Sequence, residues 1–305
     1  VDEVRRLGSY RLKKKIGTGG MGEVYLGEHE FLKQPCAIKV IRPDRVTDPR
    51  TIQRFEREVQ ATARLQHPNS IEIYDYGRAE DGTFYYVMEY LPGKTLEQLV
   101  DEGGRIPVAR AVHFLLQLCG PLREAHGIGL IHRDIKPANV IICRRGGVAD
   151  WCKLLDFGLV KDISLGSQNV TLTHAGAIAG TPAYMSPEQV ANVRDLDGRS
   201  DIYGLGALAY FMLTGRPPFE GLPLKVLADQ LHTEHLPIHH LNKSVPMHLS
   251  QLIDRCLSKN RDERYDSVVD LYHDLQSIAC AFPWTERDAE SCWSERIDEL
   301  SQSHG

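Results

Sequence analysis

The hydrophobic period of this chain changes once, at Leu91-Pro92-Gly93, and that change narrows its fold more than any other feature. Before it, glycine turns alternate with β-prone runs: Glu23-Val24-Tyr25-Leu26 and Cys36-Ala37-Ile38-Lys39-Val40 read as strands. So do residues 70–76 and 83–90, parted by the turn Glu80-Asp81-Gly82. One amphipathic helix interrupts them over 51–65, with Ile52, Phe55, Val59 and Leu65 between charges. After the change, apolar residues recur at helical spacing over 96–101, 108–126, 202–213, 224–231, 249–257 and 267–278. Strands followed by helices predict an α+β chain. We expect two lobes sharing a cleft: a small antiparallel β-sheet lobe with one key helix over about 10–90, and a larger, mainly helical lobe over about 91–278. Residues 1–9 read as an N-terminal extension. Residues 279–305 read as a C-terminal extension or the start of a linker, with Trp284 and Trp293 as its large apolar anchors.

With 305 residues, 42% hydrophobic and 25% charged, the chain can bury a large core. Its 36 basic and 41 acidic side chains leave a formal charge of −5, so no nucleic acid is expected as a partner and any phosphate chemistry must be local. Seven scattered cysteines with no C-x-x-C pair read as free thiols of a reducing cytosol, and no bond is expected between Cys143 and Cys152. The start at Val1 shows no signal-peptide pattern and hints at a fragment. The apolar stretch 202–213, interrupted by Gly204 and Gly206, is too short for a bilayer of about 30 Å and reads as a buried core helix. A cytoplasmic location follows as the expectation. No membrane contact is evident in this segment, and any anchor would lie beyond Gly305.

Three motifs carry chemistry. Gly17-Thr18-Gly19-Gly20-Met21-Gly22-Glu23-Val24 lets backbone N–H groups approach phosphate oxygens without a Cβ in the way. Such a glycine pattern arises by chance in about 0.2 of comparable chains, so a plain flexible turn competes with that reading. The strand that follows favours a phosphate-covering hairpin over the strand-to-helix turn of a dinucleotide fold. Lys39, inward-facing on an apolar strand, needs an anionic partner, and Glu58 on the amphipathic helix can serve beside a phosphate. His132-Arg133-Asp134-Ile135-Lys136-Pro137-Ala138-Asn139 holds five specified positions, a coincidence on the order of once in ten thousand sequences. Seventeen residues after Asn139 comes Asp156-Phe157-Gly158, and this Asn and Asp offer hard oxygen ligands for Mg²⁺.

In order and spacing these motifs resemble those of the eukaryotic-type protein kinase superfamily, above all its bacterial serine/threonine-protein kinases. The resemblance spans residues 10–278 and takes in Gly180-Thr181-Pro182-Ala183-Tyr184-Met185-Ser186-Pro187-Glu188, residues 200–206 and Arg264. It implies the two-lobed protein kinase fold, ATP as the phosphoryl donor with Mg²⁺ (Mn²⁺ as a substitute), and protein substrates with Ser/Thr acceptors. Residue by residue, it implies that Lys39 holds the α and β phosphates and Glu58 holds Lys39, while Asn139 and Asp156 bind the metal. Asp134 would orient the substrate hydroxyl and accept its proton, and Lys136 would neutralise the γ-phosphate. Ile16, Val24, Ala37 and Ile141 look like walls for adenine, Met88 like the back of its pocket, and Glu89 and Leu91 like the backbone that reads its edge. Asp201 resembles the buried support of the catalytic loop, and Glu188 with Arg264 a buried ion pair. Asn260-Arg261 stands where Asp-Pro is usual, which weakens the match at Arg264.

Between Asp156 and Ser186 the chain is polar and small, with Thr171 and Thr173 as candidate autophosphorylation sites, and the resemblance implies Arg133 as their phosphate partner. Phosphorylation between copies would call for a homodimer. Thr181 is assigned instead to bridging Asp134 and Lys136. A pseudokinase or nucleotide-gated binding module is the competing reading, and it would require loss of Lys39, Asp134, Asn139 or Asp156, all of which are present. His232, His235, His239 and His240 lack the company of a metal site and are read as a polar connection.

Overall fold

The structure, a computed structural model, describes residues 5–19, 22–41, 56, 59–79, 81–157 and 182–293. The chain divides into two compact units, one running to Leu91 and including the stretch from Asp156, the other built from Pro92–Leu155 and from Pro182 onward.

In the first unit, β1 (Arg6–Leu7), β2 (Tyr10–Gly19), β3 (Gly22–His29), β4 (Pro35–Ile41), β5 (Ile73–Arg78) and β6 (Phe84–Glu89) form one antiparallel sheet in the order β1-β2-β3-β4-β6-β5. Side chains alternate across a strand, so the pairing of β4 with β6 sorts them cleanly. Cys36, Ile38, Val40, Tyr85 and Val87 join Leu7, Tyr10 and Leu12 in a buried cluster. Ala37, Lys39, Tyr86 and Met88 therefore fall on the opposite face. Tyr85 also accounts for a glycine: a Cβ at Gly77 would sit 2.6 Å from its hydroxyl. Of the helix predicted over 51–65, residues 56 and 59–62 are described and helical, with Val59 fully buried.

The second unit is organised on the helix Arg199–Thr214, whose residues from Ser200 to Thr214 are all buried. A helix apolar all round belongs in a core. Among the described residues no helix is long and apolar enough to cross a membrane. The glycines of this helix admit close neighbours: a Cβ would lie 2.9 Å from the Ile135 Cβ at Gly204, and 2.7 Å from the Cys256 Cβ at Gly206. Around it stand helices Leu96–Gly103, Val108–Gly127, Pro223–His232, Met247–Cys256 and Val268–Ala281, near the predicted positions, with the unpredicted short helices Pro187–Val190 and Ile238–Leu241. A three-stranded sheet of β7 (Gly93–Thr95), β8 (Val140–Arg145) and β9 (Val148–Leu154) completes the unit. All seven cysteines are free, and the Cys143 thiol lies 3.6 Å from the Trp151 carbonyl. His235 contacts Asp254 at 2.8 Å.

Two buried ion pairs tie distant parts of this unit together. The Arg264 guanidinium, 0% exposed, donates to both Glu188 oxygens at 2.7 and 2.9 Å, and Ser200 adds its hydroxyl at 2.7 Å. The second pair receives the C-terminal extension. Arg110 grips the fully buried Asp150 at 2.8 and 2.6 Å, and the indole N–H groups of Trp284 and Trp293 donate to the same carboxylate at 3.0 and 2.8 Å. Residues 286–293 are helical, begun by reciprocal hydrogen bonds between Thr285 and Asp288.

Each indole hydrogen bond ends on a charged acceptor, a class worth about 1.5–3 kcal/mol. Trp284→Phe and Trp293→Phe are each expected to lower unfolding stability by about 1.5 kcal/mol in urea titrations, with a non-zero coupling term in the double-mutant cycle because they share one carboxylate. Glu188 predicts a pH dependence. Burial pushes its carboxyl up, but Arg264 and Ser200 outweigh burial and hold it below the ordinary 4.5. A folded value below the unfolded one means the stabilisation is complete above pH 4.5 and is lost as pH falls through the folded value. The stability gap between the native chain and Glu188→Gln should therefore be widest near neutral pH and shrink on acidification below about 4.

Candidate active site

Each unit carries its own set of the residues singled out in the sequence. In the first, β2 and β3 form the glycine hairpin, with Gly17 opposite Val24, Thr18 opposite Glu23 and Gly19 opposite Gly22. Gly22 has a local reason to lack a side chain: a Cβ there would come within 2.0 Å of the Val40 carbonyl on β4. Ile16 is 45% exposed on β2, while Ala37 and Met88 are buried and directly paired between β4 and β6. At Glu89 the N–H donates to Glu72 O at 3.0 Å and the side chain accepts from Glu72 N at 2.9 Å.

The same register sets Lys39 opposite Tyr86, and both side chains converge on Asp156. Lys39 Nζ lies 2.5 Å from Asp156 Oδ2, and the Tyr86 hydroxyl donates to Oδ1 at 2.5 Å. Lys39 also stands 5.7 Å from the centre of the Tyr86 ring. Burial, reinforced by the adjacent carboxylate, pushes the Tyr86 phenol well above its ordinary value, so it remains a donor. Asp156 itself has φ 47, a left-handed conformation that aspartate tolerates better than most non-glycine residues. The sequence pairs Lys39 with Glu58; the described carboxylate on Lys39 is that of Asp156.

In the second unit the catalytic-loop sequence is built around another carboxylate. Asp201, 1% exposed on the Arg199–Thr214 helix, accepts the backbone N–H of His132 and of Arg133, each at 2.8 Å, and contacts His126 Nε2 at 2.8 Å. Two backbone donors on one side chain fix the loop's path, including Arg133 at φ 64. The His132 ring is fully buried. Its Nδ1 accepts from the Asp134 N–H at 3.2 Å, which makes Nε2 the protonated nitrogen that donates to Leu155 O at 2.8 Å. Gln189 secures the Arg133 carbonyl at 2.7 Å. Asp134, so held, receives Lys136 Nζ at 2.8 Å and Asn139 Nδ2 at 2.9 Å on Oδ2, while Asn139 Nδ2 also reaches the Asp134 carbonyl at 2.8 Å. That orientation leaves the amide oxygen of Asn139 as its acceptor end.

The structure thus brings together Lys39 with Asp156, Asp134 with Lys136 and Asn139, Asp201 with the backbone of the catalytic loop, and Glu188 with Arg264. Ile141 lies on β8, half-buried, and Leu91 follows β6. Gly20, Met21, Glu58, Thr171, Thr173 and Thr181 lie outside the described residues. Tyr86, His126 and Gln189 escaped the sequence reading. For Tyr86 a signal existed, since in a strand alternating as β6 does, it shares a face with Met88 and with its cross-strand neighbour Lys39.

Among the described residues no cluster of His, Cys, Asp or Glu could by itself cage a metal ion. Mg²⁺ takes one or two protein carboxylates and completes its shell with water and substrate phosphates. Asp156 of the first unit and Asn139 of the second each carry a hard oxygen of the kind this ion takes.

Residues 10–275 match the family described as protein kinase domain. The chain is 39% identical over 272 residues to the serine/threonine-protein kinase pkn3 of Myxococcus xanthus, covering 88% of this chain and 50% of that protein. It is 36% identical over 278 residues to the serine/threonine-protein kinase PknB of Mycobacterium leprae, covering 90% of this chain and 43% of that protein. The chain therefore spans half the length, or less, of these curated relatives. Among solved structures, the PknI kinase domain of Mycobacterium tuberculosis superposes with a TM-score of 0.71 at 27% identity, over 92% of this chain and 99% of that one. Matched along most of its length and more than a third identical to these relatives, the chain belongs to the protein kinase domain family.

Proposed function

We propose that this chain is a serine/threonine protein kinase that transfers the γ-phosphoryl group of ATP, taken with Mg²⁺, to hydroxyls of protein substrates. The observation that carries the reading is Asp134 held between Lys136 and Asn139 on a loop whose backbone hangs from the buried Asp201. Phosphoryl transfer asks the protein for positioning and charge rather than covalent chemistry, and this arrangement supplies both. In this reading Asp134 orients the acceptor hydroxyl and takes its proton. Lys136, 2.8 Å from Asp134, balances charge that gathers on the transferring group's oxygens. Lys39 holds the nucleotide's phosphates, with Glu58 beside it, under the glycine hairpin. Asp156 and the Asn139 amide oxygen hold the metal, which supplies neutralisation of phosphate charge when bound; Mn²⁺ meets the same requirement. Ile16, Val24, Ala37, Met88 and Ile141 enclose adenine, with the backbone of Glu89 and Leu91 at its edge. We place this activity in the cytoplasm.

Asp134→Asn tests the mechanism. It keeps the hydrogen-bonding outline but cannot take up a proton, so turnover should fall about 10²- to 10⁴-fold while ATP binding, measured by calorimetry, stays near that of the native chain. Near-normal turnover would overturn the assignment.

Regulation follows from Arg133, whose backbone is pinned by Asp201 and Gln189 beside the catalytic aspartate. A phosphothreonine adds about −1.5 to −2 charge and makes charge-assisted bonds to an arginine, so autophosphorylation of Thr171, Thr173 or both, between two copies of the chain, would order the substrate platform. Mass spectrometry after incubation with Mg·ATP should find phosphate on one or both. The Thr171→Ala/Thr173→Ala double variant should be less active than the native chain; absence of phosphate together with full activity of the variant would refute the scheme.

A further inference from the structure

The Tyr86 hydroxyl has no part in the roles above, yet it touches the carboxylate to which the metal is assigned. Every residue of β6 is buried, and Tyr86 is 1% exposed, so its hydroxyl lies where a polar group needs a partner. The partner is Asp156 Oδ1 at 2.5 Å, and Lys39, paired with Tyr86 across β4 and β6, sits on Oδ2 at 2.5 Å. A cross-strand pair thus holds one carboxylate between a cation and a neutral donor.

These two donors differ in what competes for them. Lys39 is a flexible ammonium, and nucleotide phosphates draw such a group away from a carboxylate. The Tyr86 phenol is neutral and rigid, and its ring is fixed in the strand's buried row, so no phosphate recruits it. We propose that Tyr86 is a positioning residue for the metal: its hydroxyl keeps the Asp156 carboxylate aimed while Lys39 is engaged by phosphates, and so sets how tightly the nucleotide's divalent cation is held. This rests on the kinase reading given above.

Tyr85 provides the control. It is also buried, at 6%, but it faces the opposite side of the sheet, with its hydroxyl over Gly8 and Gly77. Tyr86→Phe and Tyr85→Phe each delete one buried phenol oxygen, and only the first should change metal use. Two measurements suffice: the free Mg²⁺ giving half-maximal phosphotransfer at saturating ATP, and the Tm shift produced by a non-hydrolysable ATP analogue with and without Mg²⁺. Removing an outer-shell partner of a metal ligand usually weakens metal affinity about 10- to 100-fold, so Tyr86→Phe should raise the half-saturating Mg²⁺ about tenfold. It should shrink the Mg²⁺-dependent part of the Tm shift and spare the part due to nucleotide alone. Replacing Tyr86 with 4-aminophenylalanine, which restores a ring donor, should return both readouts toward native values. Unchanged Mg²⁺ dependence in Tyr86→Phe, an equal change in Tyr85→Phe, or no recovery with 4-aminophenylalanine overturns the proposal. A native chain that transfers no phosphate would sink the kinase reading instead, while the Tm titration would still judge Tyr86.

Discussion

The buried carboxylate of Asp201 is the interaction on which the catalytic loop depends. A carboxylate removed from water must be satisfied by several donors, and here those donors are the His132 and Arg133 backbone N–H groups together with the His126 ring. The need of the charge for partners and the need of the loop for a fixed path are met by the same bonds. The helix that carries Asp201 is itself immobilised by burial along its whole length, and Gly204 lets Ile135 press against it. The geometry of Asp134 is therefore set from the hydrophobic core outward, through one side chain, rather than by the loop's own preferences.

The first unit solves the same problem with β-sheet register. Pairing β4 with β6 fixes which residues share a face, and a slip by one residue would send Lys39 and Tyr86 into the apolar cluster around Ile38 and Val87. Burying that cluster is what holds the register, so the placement of Lys39 and Tyr86 on Asp156 is a by-product of hydrophobic sorting.

Much of this was legible in the sequence, because the signals were periodic or contiguous. The strand-to-helix change at Leu91-Pro92-Gly93 anticipated both sheet and helices, and the order of the motifs gave Lys39, Asp134, Asn139 and Asp156 as the residues to watch. Pro187–Val190 and Ile238–Leu241 were not legible, since a single helical turn shows no period. The extension carrying Trp284 and Trp293 read equally well as a linker because its anchor, Asp150, is 134 and 143 residues away along the chain. Local composition cannot report a contact of that separation. Tyr86 was hidden differently: in a fully buried strand a tyrosine looks like one more apolar residue until its hydroxyl's partner is seen.

Each unit has a lysine against a carboxylate, Lys39 on Asp156 in the first and Lys136 on Asp134 in the second. Binding a phosphate at either is thus an exchange of partners. At Lys39 a phosphate that takes the ammonium leaves the Asp156 carboxylate facing another anion, and at an effective dielectric near 20 two unit charges about 4 Å apart repel by roughly 4 kcal/mol. A divalent cation reverses that sign, because it is attracted to the carboxylate and to the phosphate together. In the proposed reading nucleotide and metal would be coupled through Asp156, each making room for the other, and the neutral Tyr86 hydroxyl is a donor on that carboxylate whose hold does not depend on where the charges go.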